Sequence, residues 1–488
     1  MRFLALIAVL ASLAVAAGFA DQGSSAPARK PNIIFILTDD LSWNLVKYMP
    51  NLQRMQEQGA TFDNFFVTNS LCCPSRASIF TGKYPHNTGI YENTGRLGGF
   101  TGFHDAGLES DTFATRLHAA GYTTAMMGKY LNGYVPNLVL DGQRNYVPPG
   151  WDEWDVAGKA YSGFDYALNE NHRVRYYGTK PTDYVTDVLA AKSLDFVSRE
   201  AASRRPFFLE IAPFAPHHPY TPAPRHEHLF PGVRAPRTAA FNEVNLSDKP
   251  NWVRKRKLLR STQLSTIDQD FRKRVQSVQA VDEMIGKLQD ALSLSGQLQN
   301  TYIFFSSDNG LHMGEHRLAP GKMTAYEPDI HIPLIATGPT VPAGLRLGQV
   351  ASTIDLFPTF TQLGNAVTPS IVDGHSLASL LAGKAAPGWR KAVLIEHLGL
   401  DVTRGDPDFS GPFAGNPDSY KAIRTAHSTF VEYVTGELEF YDLNRDPYEL
   451  NNAARALKPL GRGALHTRLS LLVGCAGAAS CWAAAGGG

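Results

Sequence analysis

An α/β fold is predicted for this chain: a large, mostly parallel sheet covered by helices, with a smaller antiparallel subdomain at the C-terminal end. Three observations predict it. Short apolar runs rich in β-branched and aromatic residues recur at 32–37 (NIIFIL), 123–127, 206–211 (PFFLEI), 301–306 (TYIFFS) and 333–336, as in strands buried on both faces. Between the third and fourth runs, Ile267, Phe271, Val275, Val278, Val281, Ile285, Leu288 and Leu292 lie three or four residues apart, tracing the apolar face of a long helix that Gly296 can cap. Strands joined by long helices give a parallel sheet covered on both faces. After about residue 385 the pattern changes. Residues 429–434, the Thr435-Gly436 turn and 438–441 read as a β-hairpin, followed by a helix over 457–473.

The 488 residues suffice for one large domain, or one large and one small. A content of 43% hydrophobic and 19% charged residues excludes a disordered chain, a multi-pass membrane protein and a disulfide scaffold. Lys+Arg 46 against Asp+Glu 45 gives a net charge of +1, so no global electrostatic case exists for nucleic acid as a partner. Arg2, the apolar stretch 3–17 and the small residues Gly18 and Ala20 read as a signal peptide over 1–20, cleaved before Asp21, with 21–30 as a linker. The alternative, a membrane anchor, needs a longer apolar stretch. The mature protein is therefore expected to be exported and free of the membrane. Export permits a disulfide, and Cys475 and Cys481 are the expected pair, the alternative being two free thiols in an Ala/Gly-rich tail. Residues 476–488 are expected to fray. The large domain is placed at 31–385 and the C-terminal subdomain at 386–488.

The polar residues fall in a pattern. Strand 32–37 runs into Asp39 and Asp40, strand 123–127 into Lys129, strand 206–211 toward His217 and His218, and strand 301–306 into Asp308 and Asn309. Ligands of open α/β sheets bind beyond the carboxyl ends of the strands, so parallel strands would bring these four clusters to one rim. Asp39, Asp40, Asp308 and Asn309 offer hard oxygen donors, which suit Ca²⁺, or Mg²⁺, better than zinc. Any one of these Asp residues alone reads as a turn or helix cap. Arg76, Lys129, His217 and Lys322 add positive charge or donors fit for a tetrahedral oxyanion; singly, each reads as a surface ion-pair member.

Residues 71–82, LCCPSRASIFTG, form a helix-start pattern, with Pro74 suited to the first helical position and Gly82 ending it. Cys72 then lies near a helix N-terminus, where thiolates and anions are stabilised. From the residues alone this is either a pair of small buried thiols, or a thiol nucleophile or vicinal redox pair; a Cys-phosphatase loop is excluded because Arg76 stands four residues, not six, from Cys72.

Cys72-x-Pro74-Ser75-Arg76 with Thr81-Gly82 resembles the signature of type I sulfatases. TDD at 38–40, GKY at 128–130, APHHP at 215–219, SDNG at 307–310, GEH at 314–316, Lys322 and FYDLNRDPYELNN at 440–452 follow in the family's order, over about residues 31–455. The phrasing is similar to glucosamine sulfatases in particular. The resemblance implies an alkaline-phosphatase-like fold, hydrolysis of a sulfate ester of a sugar or aryl alcohol, and oxidation of Cys72 to formylglycine by a maturation enzyme. It also implies Ca²⁺ held by Asp39, Asp40, Asp308 and Asn309 with residue 72 as neighbour, Arg76 holding the formylglycine hydrate, and Lys129 and Lys322 binding sulfate. His217 binds sulfate or protonates the leaving oxygen, His218 is a further substrate contact, and His316 is a candidate for the pocket wall. A hydrated aldehyde has two hydroxyls: one attacks sulfur and displaces the alcohol, and the other loses its proton, expelling sulfate and restoring the aldehyde.

In one place the sequence departs from the family. Many sulfatases carry a His two residues after the matching lysine; here Leu131 and then Asn132 follow, so the donor is Asn132, His217 or His316. The basic run Arg254–Lys257 with Arg260 reads as a glycan contact or as a solvated helix end. The sequon Asn245-Leu246-Ser247 would matter only in a eukaryotic secretory pathway. Substrate choice is expected from loops 90–110, 130–150 and 401–418. A phosphodiester or phosphonate monoester hydrolase is the near alternative, and a non-catalytic glycan-binding protein with an unmodified Cys72 the distant one.

Overall fold

A computed structural model describes residues 29–203, 205–399 and 413–488. The signal peptide expected at 1–20, all but the end of the linker, and most of loop 401–418 lie outside the described residues. Among the described residues the large sheet has ten strands. In chain order they are β1 (Asn32–Thr38), β2 (Ala60–Phe62), β3 (Thr123–Lys129), β4 (Glu153–Ala157), β5 (Tyr166–Glu170), β6 (Arg173–Tyr177), β7 (Phe207–Ala212), β8 (Thr301–Ser307), β9 (Leu334–Thr337) and β10 (Leu345–Leu347). Their spatial order is β10-β2-β9-β8-β1-β7-β3-β4-β5-β6.

The centre, β8-β1-β7-β3-β4, is parallel throughout, which brings the four polar clusters to one rim as expected. The run at 333–336 is a strand, but β9 pairs antiparallel with β8. It follows β8 after a connection without a long helix, so it returns beside its neighbour in the opposite sense. A hairpin, β5-β6, extends the other edge; β5 is short and half polar though mostly buried, and β6 is polar and largely exposed, so apolar patterning did not mark them.

Alternation along β1 builds the two layers. Ile33, Phe35 and Leu37 face one core, and Ile34 and Ile36 face the other. The first core is covered by α1 (Cys72–Thr81) and by a helix over Leu356–Leu363. The second is covered by α2 (Val185–Ser203) and α3 (Ser261–Leu294). All eight apolar residues that traced the α3 face are buried, and Gly296 just past its end takes a left-handed φ of 66°. Each large aliphatic or aromatic side chain buried this way contributes about 1.5–3 kcal/mol.

The C-terminal hairpin belongs to a four-stranded antiparallel sheet: β11 (Ala392–His397), β12 (Tyr420–Thr425), β13 (Ser428–Tyr433) and β14 (Leu438–Asp442). A helix over Pro459–Val473 packs on it. The tail is not frayed. Cys475 and Cys481 are bonded, a helix spans Ala478–Ala484, and Trp482 packs against His375 and Trp389 at ring-centroid distances of 4.1 and 5.1 Å. The small residues that read as floppy let the helix lie flat on that surface.

Candidate active site

The four parallel strands each deliver one piece of the site. Asp39 and Asp40 follow β1, Lys129 ends β3, His217 follows β7, and Asp308 and Asn309 follow β8. The fifth piece is α1. It starts at Cys72 itself, so Pro74 sits third in the helix and not first; its missing N–H lies among those a first turn leaves unbonded anyway. Cys72 is then the first helical residue, and the adjacent Cys73 N–H donates to Asn93 Oδ1 at 2.9 Å.

The contacts close into one network. Lys129 Nζ donates to Asp39 Oδ2 at 2.7 Å. Lys322 Nζ donates to Asp40 Oδ1 at 2.8 Å and lies 2.8 Å from Cys72 Sγ. Cys72 Sγ is 3.4 Å from Asp39 Oδ1. Arg76 Nε donates to Asp308 Oδ2 and its Nη1 to the Lys129 carbonyl, both at 2.8 Å. His217 Nδ1 lies 2.6 Å from the His218 carbonyl, which fixes the tautomer, and its Nε2 lies 3.7 Å from Asp40 Oδ2. Every one of these acidic and basic side chains is buried.

The electrostatics follow from that crowding. Burial and the neighbouring Asp308 raise the Asp39 carboxyl above its usual range, against the pull of Lys129. Burial acts the same way on Asp308, but Arg76, Lys129 and Lys322 outweigh it and hold that carboxyl low. Carboxylates packed this closely call for a cation between them.

A hard cation fits the donors. Asp39, Asp40, Asp308 and Cys72 each offer a ligand atom within 4.8 Å of the others. Asn309 donates through Nδ2 to Asp40 Oδ1 and the Gly310 carbonyl, which leaves its Oδ1 buried with no partner among the described residues. A buried amide oxygen beside three carboxylates is what Ca²⁺ takes. The cationic half is also open: Arg76 Nη2 is buried and has no hydrogen-bond partner among the described residues.

Nine residues singled out from sequence thus meet in one network: Asp39, Asp40, Cys72, Arg76, Lys129, His217, Asp308, Asn309 and Lys322. His218 follows at the exposed edge, its pKa lowered by burial of its ring and by His217. Asn132 is buried with its backbone against the Cys73 thiol, which burial pushes up to about 12. His316 is bonded through Nδ1 to Glu243 at 2.7 Å and packs at a tilt against the Tyr326 ring, and burial and Lys249 hold its pKa well below the ordinary His value.

Sequence reading missed three supports. Arg274, on α3, bonds the Asp40 carbonyl and steadies a residue with a φ of 66°. Its place three residues after Phe271, on the apolar face, was the signal. Ser75 Oγ donates to the Asp308 carbonyl at 2.5 Å. Tyr161 packs its ring 5.1 Å from Lys129 Nζ and 4.6 Å from the His217 ring, from a loop with no pattern to mark it.

Comparison with known proteins gives concordant matches. The family model Sulfatase matches residues 31–366, and the model N-sulphoglucosamine sulphohydrolase, C-terminal, matches 314–461. The N-acetylglucosamine-6-sulfatase of Capra hircus is 35% identical, covering 93% of this chain and 86% of that one. The putative extracellular sulfatase Sulf-1 homolog of Caenorhabditis elegans is also 35% identical, over 75% of this chain and 52% of its own. A solved protein in complex with its substrate D-glucosamine-2-N,6-O-disulfate superposes with a TM-score of 0.75 at 25% identity, over 90% of this chain and 97% of that one.

Proposed function

The chain belongs to the sulfatase family, and on that premise we propose that it removes sulfate from a 6-O-sulfated N-acetylglucosamine-like sugar, with Cys72 matured to formylglycine and Ca²⁺ at Asp39, Asp40, Asp308 and Asn309. The observation that carries the reading is the position of Cys72, where the carboxylate cluster and the cationic side chains meet. The relatives named N-acetylglucosamine-6-sulfatase support the sugar.

Formylglycine supplies, as its hydrate, a nucleophilic hydroxyl and a second hydroxyl whose deprotonation releases sulfate. Calcium, when bound, lowers the pKa of such a hydroxyl and neutralises charge on sulfate oxygens. The chain's own residues do the rest. Lys322, bridging Asp40 and residue 72, stabilises negative charge on the side chain at position 72. Arg76, anchored twice, keeps Nη2 for an oxygen of the nucleophile or the sulfate. Lys129, tethered to Asp39 and backed by Tyr161, offers charge to the sulfate. His217 carries a proton on Nδ1, locked to the His218 carbonyl, so a second proton on Nε2 is the one available to the departing sugar oxygen. His316, held neutral by its burial, is engaged with Glu243, and His217 is the acid. With the groups fully buried, water does not weaken these interactions.

Maturation needs a formylglycine-generating enzyme acting on the segment around Cys72, and the apolar 3–17 stretch implies export. Mass spectrometry of the Cys72 peptide after co-expression with such an enzyme should show the aldehyde, and Cys72→Ala should abolish sulfate release from N-acetylglucosamine 6-sulfate. Full turnover by that variant would sink the mechanism. A higher kcat/KM on 4-sulfated galactose or on an aryl phosphate would overturn the substrate.

A further inference from the structure

The C-terminal tail is fastened to the segment that follows α1, and the fastening passes through one histidine. α1 ends before Gly82, and a short helix over Pro85–Thr88 comes next. Within it, His86 lies between two other parts of the fold. Its Nδ1 is 2.7 Å from Glu396 Oε2 on β11, and its Nε2 is 2.8 Å from the Cys475 carbonyl, where the disulfide loop begins. Its ring stacks on Tyr84 at a centroid distance of 5.6 Å. Asn87 Nδ2 donates a second bond to the Cys475 carbonyl at 3.0 Å. Asp373 ties the same segment to the tail from another side. It accepts from Tyr84 N and Asn87 Nδ2, both at 2.8 Å, and from Gly477 N at 2.7 Å. The Asp373 and Gly374 N–H groups in turn donate to the Gly82 carbonyl, at the end of α1.

Both partners of the His86 ring are acceptors. A carboxylate and a carbonyl each need an N–H, and a neutral imidazole has only one. The geometry is therefore that of the imidazolium, with a proton on each nitrogen. The surrounding charges balance it. Glu396 is fully buried, with His86 on one oxygen and Lys421 of β12 on the other, and these two cations hold its carboxyl low against the effect of burial. Asp373 is the second carboxylate acting on the ring. Tyr84 and Tyr91, the latter with Lys421 over its ring at 5.3 Å, are phenols that burial keeps neutral. Burial of the His86 ring opposes its charge, but Glu396, the Cys475 carbonyl and Asp373 outweigh that and raise its pKa above the ordinary 6.5. Without the second proton, the Nε2 lone pair would face the Cys475 carbonyl oxygen, and the contact turns repulsive. The side chain is 14% exposed, so water can take that proton.

We propose that His86 is a proton-operated latch: its imidazolium bridges Glu396 and Cys475 and holds the disulfide-bonded tail against the end of the helix that begins at Cys72, and loss of the proton loosens the tail. The contribution of the latch is complete below pH 6.5 and is lost as pH rises through the raised value of the folded protein. Acid therefore tightens this junction. His375, on which Trp482 of the tail stacks, does not act in the same range. Burial lowers its pKa, so it is neutral above 6.5. The disulfide keeps the loop covalently closed in both states, so the docking of the loop and of the helix over Ala478–Ala484 is what changes.

The test is amide hydrogen exchange of the full chain from pH 6.5 to about 9, read on residues 474–488 and, as an internal reference, on α3, with rates corrected for the intrinsic pH dependence of exchange. The expected result is a fall of about tenfold or more in the protection of the tail as pH rises, while α3 keeps its protection. His86→Gln can still donate to Glu396 but has no proton to lose. Its tail should be less protected than that of the unsubstituted protein at pH 6.5 and should show no further fall toward higher pH. Tail protection that does not change with pH in the unsubstituted protein would overturn the proposal without any variant. A fall of the same size in His86→Gln would place the titrating group elsewhere, and an equal fall in α3 would mean that the whole fold loosens; either result also overturns the latch. The readout needs no sulfate ester, so it stands apart from the reaction assigned to Cys72.

Discussion

The side-chain oxygen of Asn309 has no partner among the described residues, while its nitrogen is used twice. An unsatisfied buried acceptor costs about 1–3 kcal/mol, so a cation that accepts it also relieves the fold. Asn309→Ala removes one of the four proposed protein ligands and should raise the calcium concentration for half-maximal activity and for half-maximal thermal stabilisation by about tenfold or more. Unchanged calcium dependence of both would remove Asn309 from the site. Such residues were legible because they are hard-oxygen donors placed where strands end. Arg274 and Tyr161 were not, for different reasons. Arg274 looks like any helix charge until the apolar period is extended through it, and Tyr161 reaches Lys129 only through the path of a loop.

At the scale of elements, α1 is the part whose placement matters most, because its first residue is Cys72. It is held at its far end by Gly82, which has a φ of 67°. A Cβ there would come within 2.7 Å of Val372 Cγ1 and 2.9 Å of Phe357 Cβ, so both conformation and space demand glycine. Gly82→Ala should lower stability by about 1–2 kcal/mol and reduce kcat more than it changes KM, because Cys72, the proposed nucleophile position, shifts while the surrounding cations stay. A melting temperature and kcat equal to the unsubstituted enzyme would refute the strain. This glycine was readable as a helix stop. The true start of α1 was not, because proline is tolerated at several first-turn positions and does not fix the register. The edge strand β6 and the sense of β9 were hidden for a third reason: an exposed edge carries little apolar pattern, and pairing direction depends on partners far away in sequence.

For the whole molecule, the parallel centre was legible from its apolar runs, yet one central strand carries a residue those runs disguise. Glu210 lies in β7, fully buried between β1 and β3, with both carboxylate oxygens lacking a hydrogen-bond partner among the described residues. Burial pushes its carboxyl up to about 8, against the opposing pull of Arg76. Held as a neutral acid, it leaves the Arg76 charge to Asp308. The folded protein therefore keeps a proton that the unfolded chain gives up near pH 4.5, so this contribution to stability is complete below 4.5 and is lost as pH rises toward 8. Between pH 5.5 and 7.5 the loss amounts to about 2–3 kcal/mol. His397 slopes the other way: burial holds it at about 4, so its contribution is present above 6.5 and is lost as pH falls toward 4. The two slopes oppose each other only between 4.5 and 6.5, where the two ranges overlap, and above 6.5 the Glu210 slope stands without that of His397. Glu210→Gln keeps shape and neutrality but cannot ionise in the unfolded chain. Urea unfolding from pH 5.5 to 7.5 should show the variant gaining stability relative to the unsubstituted enzyme by about 2–3 kcal/mol across that range. Parallel pH profiles for the two proteins would mean that Glu210 is ionised in the fold, and its neutral role beside Arg76 would be lost with that result.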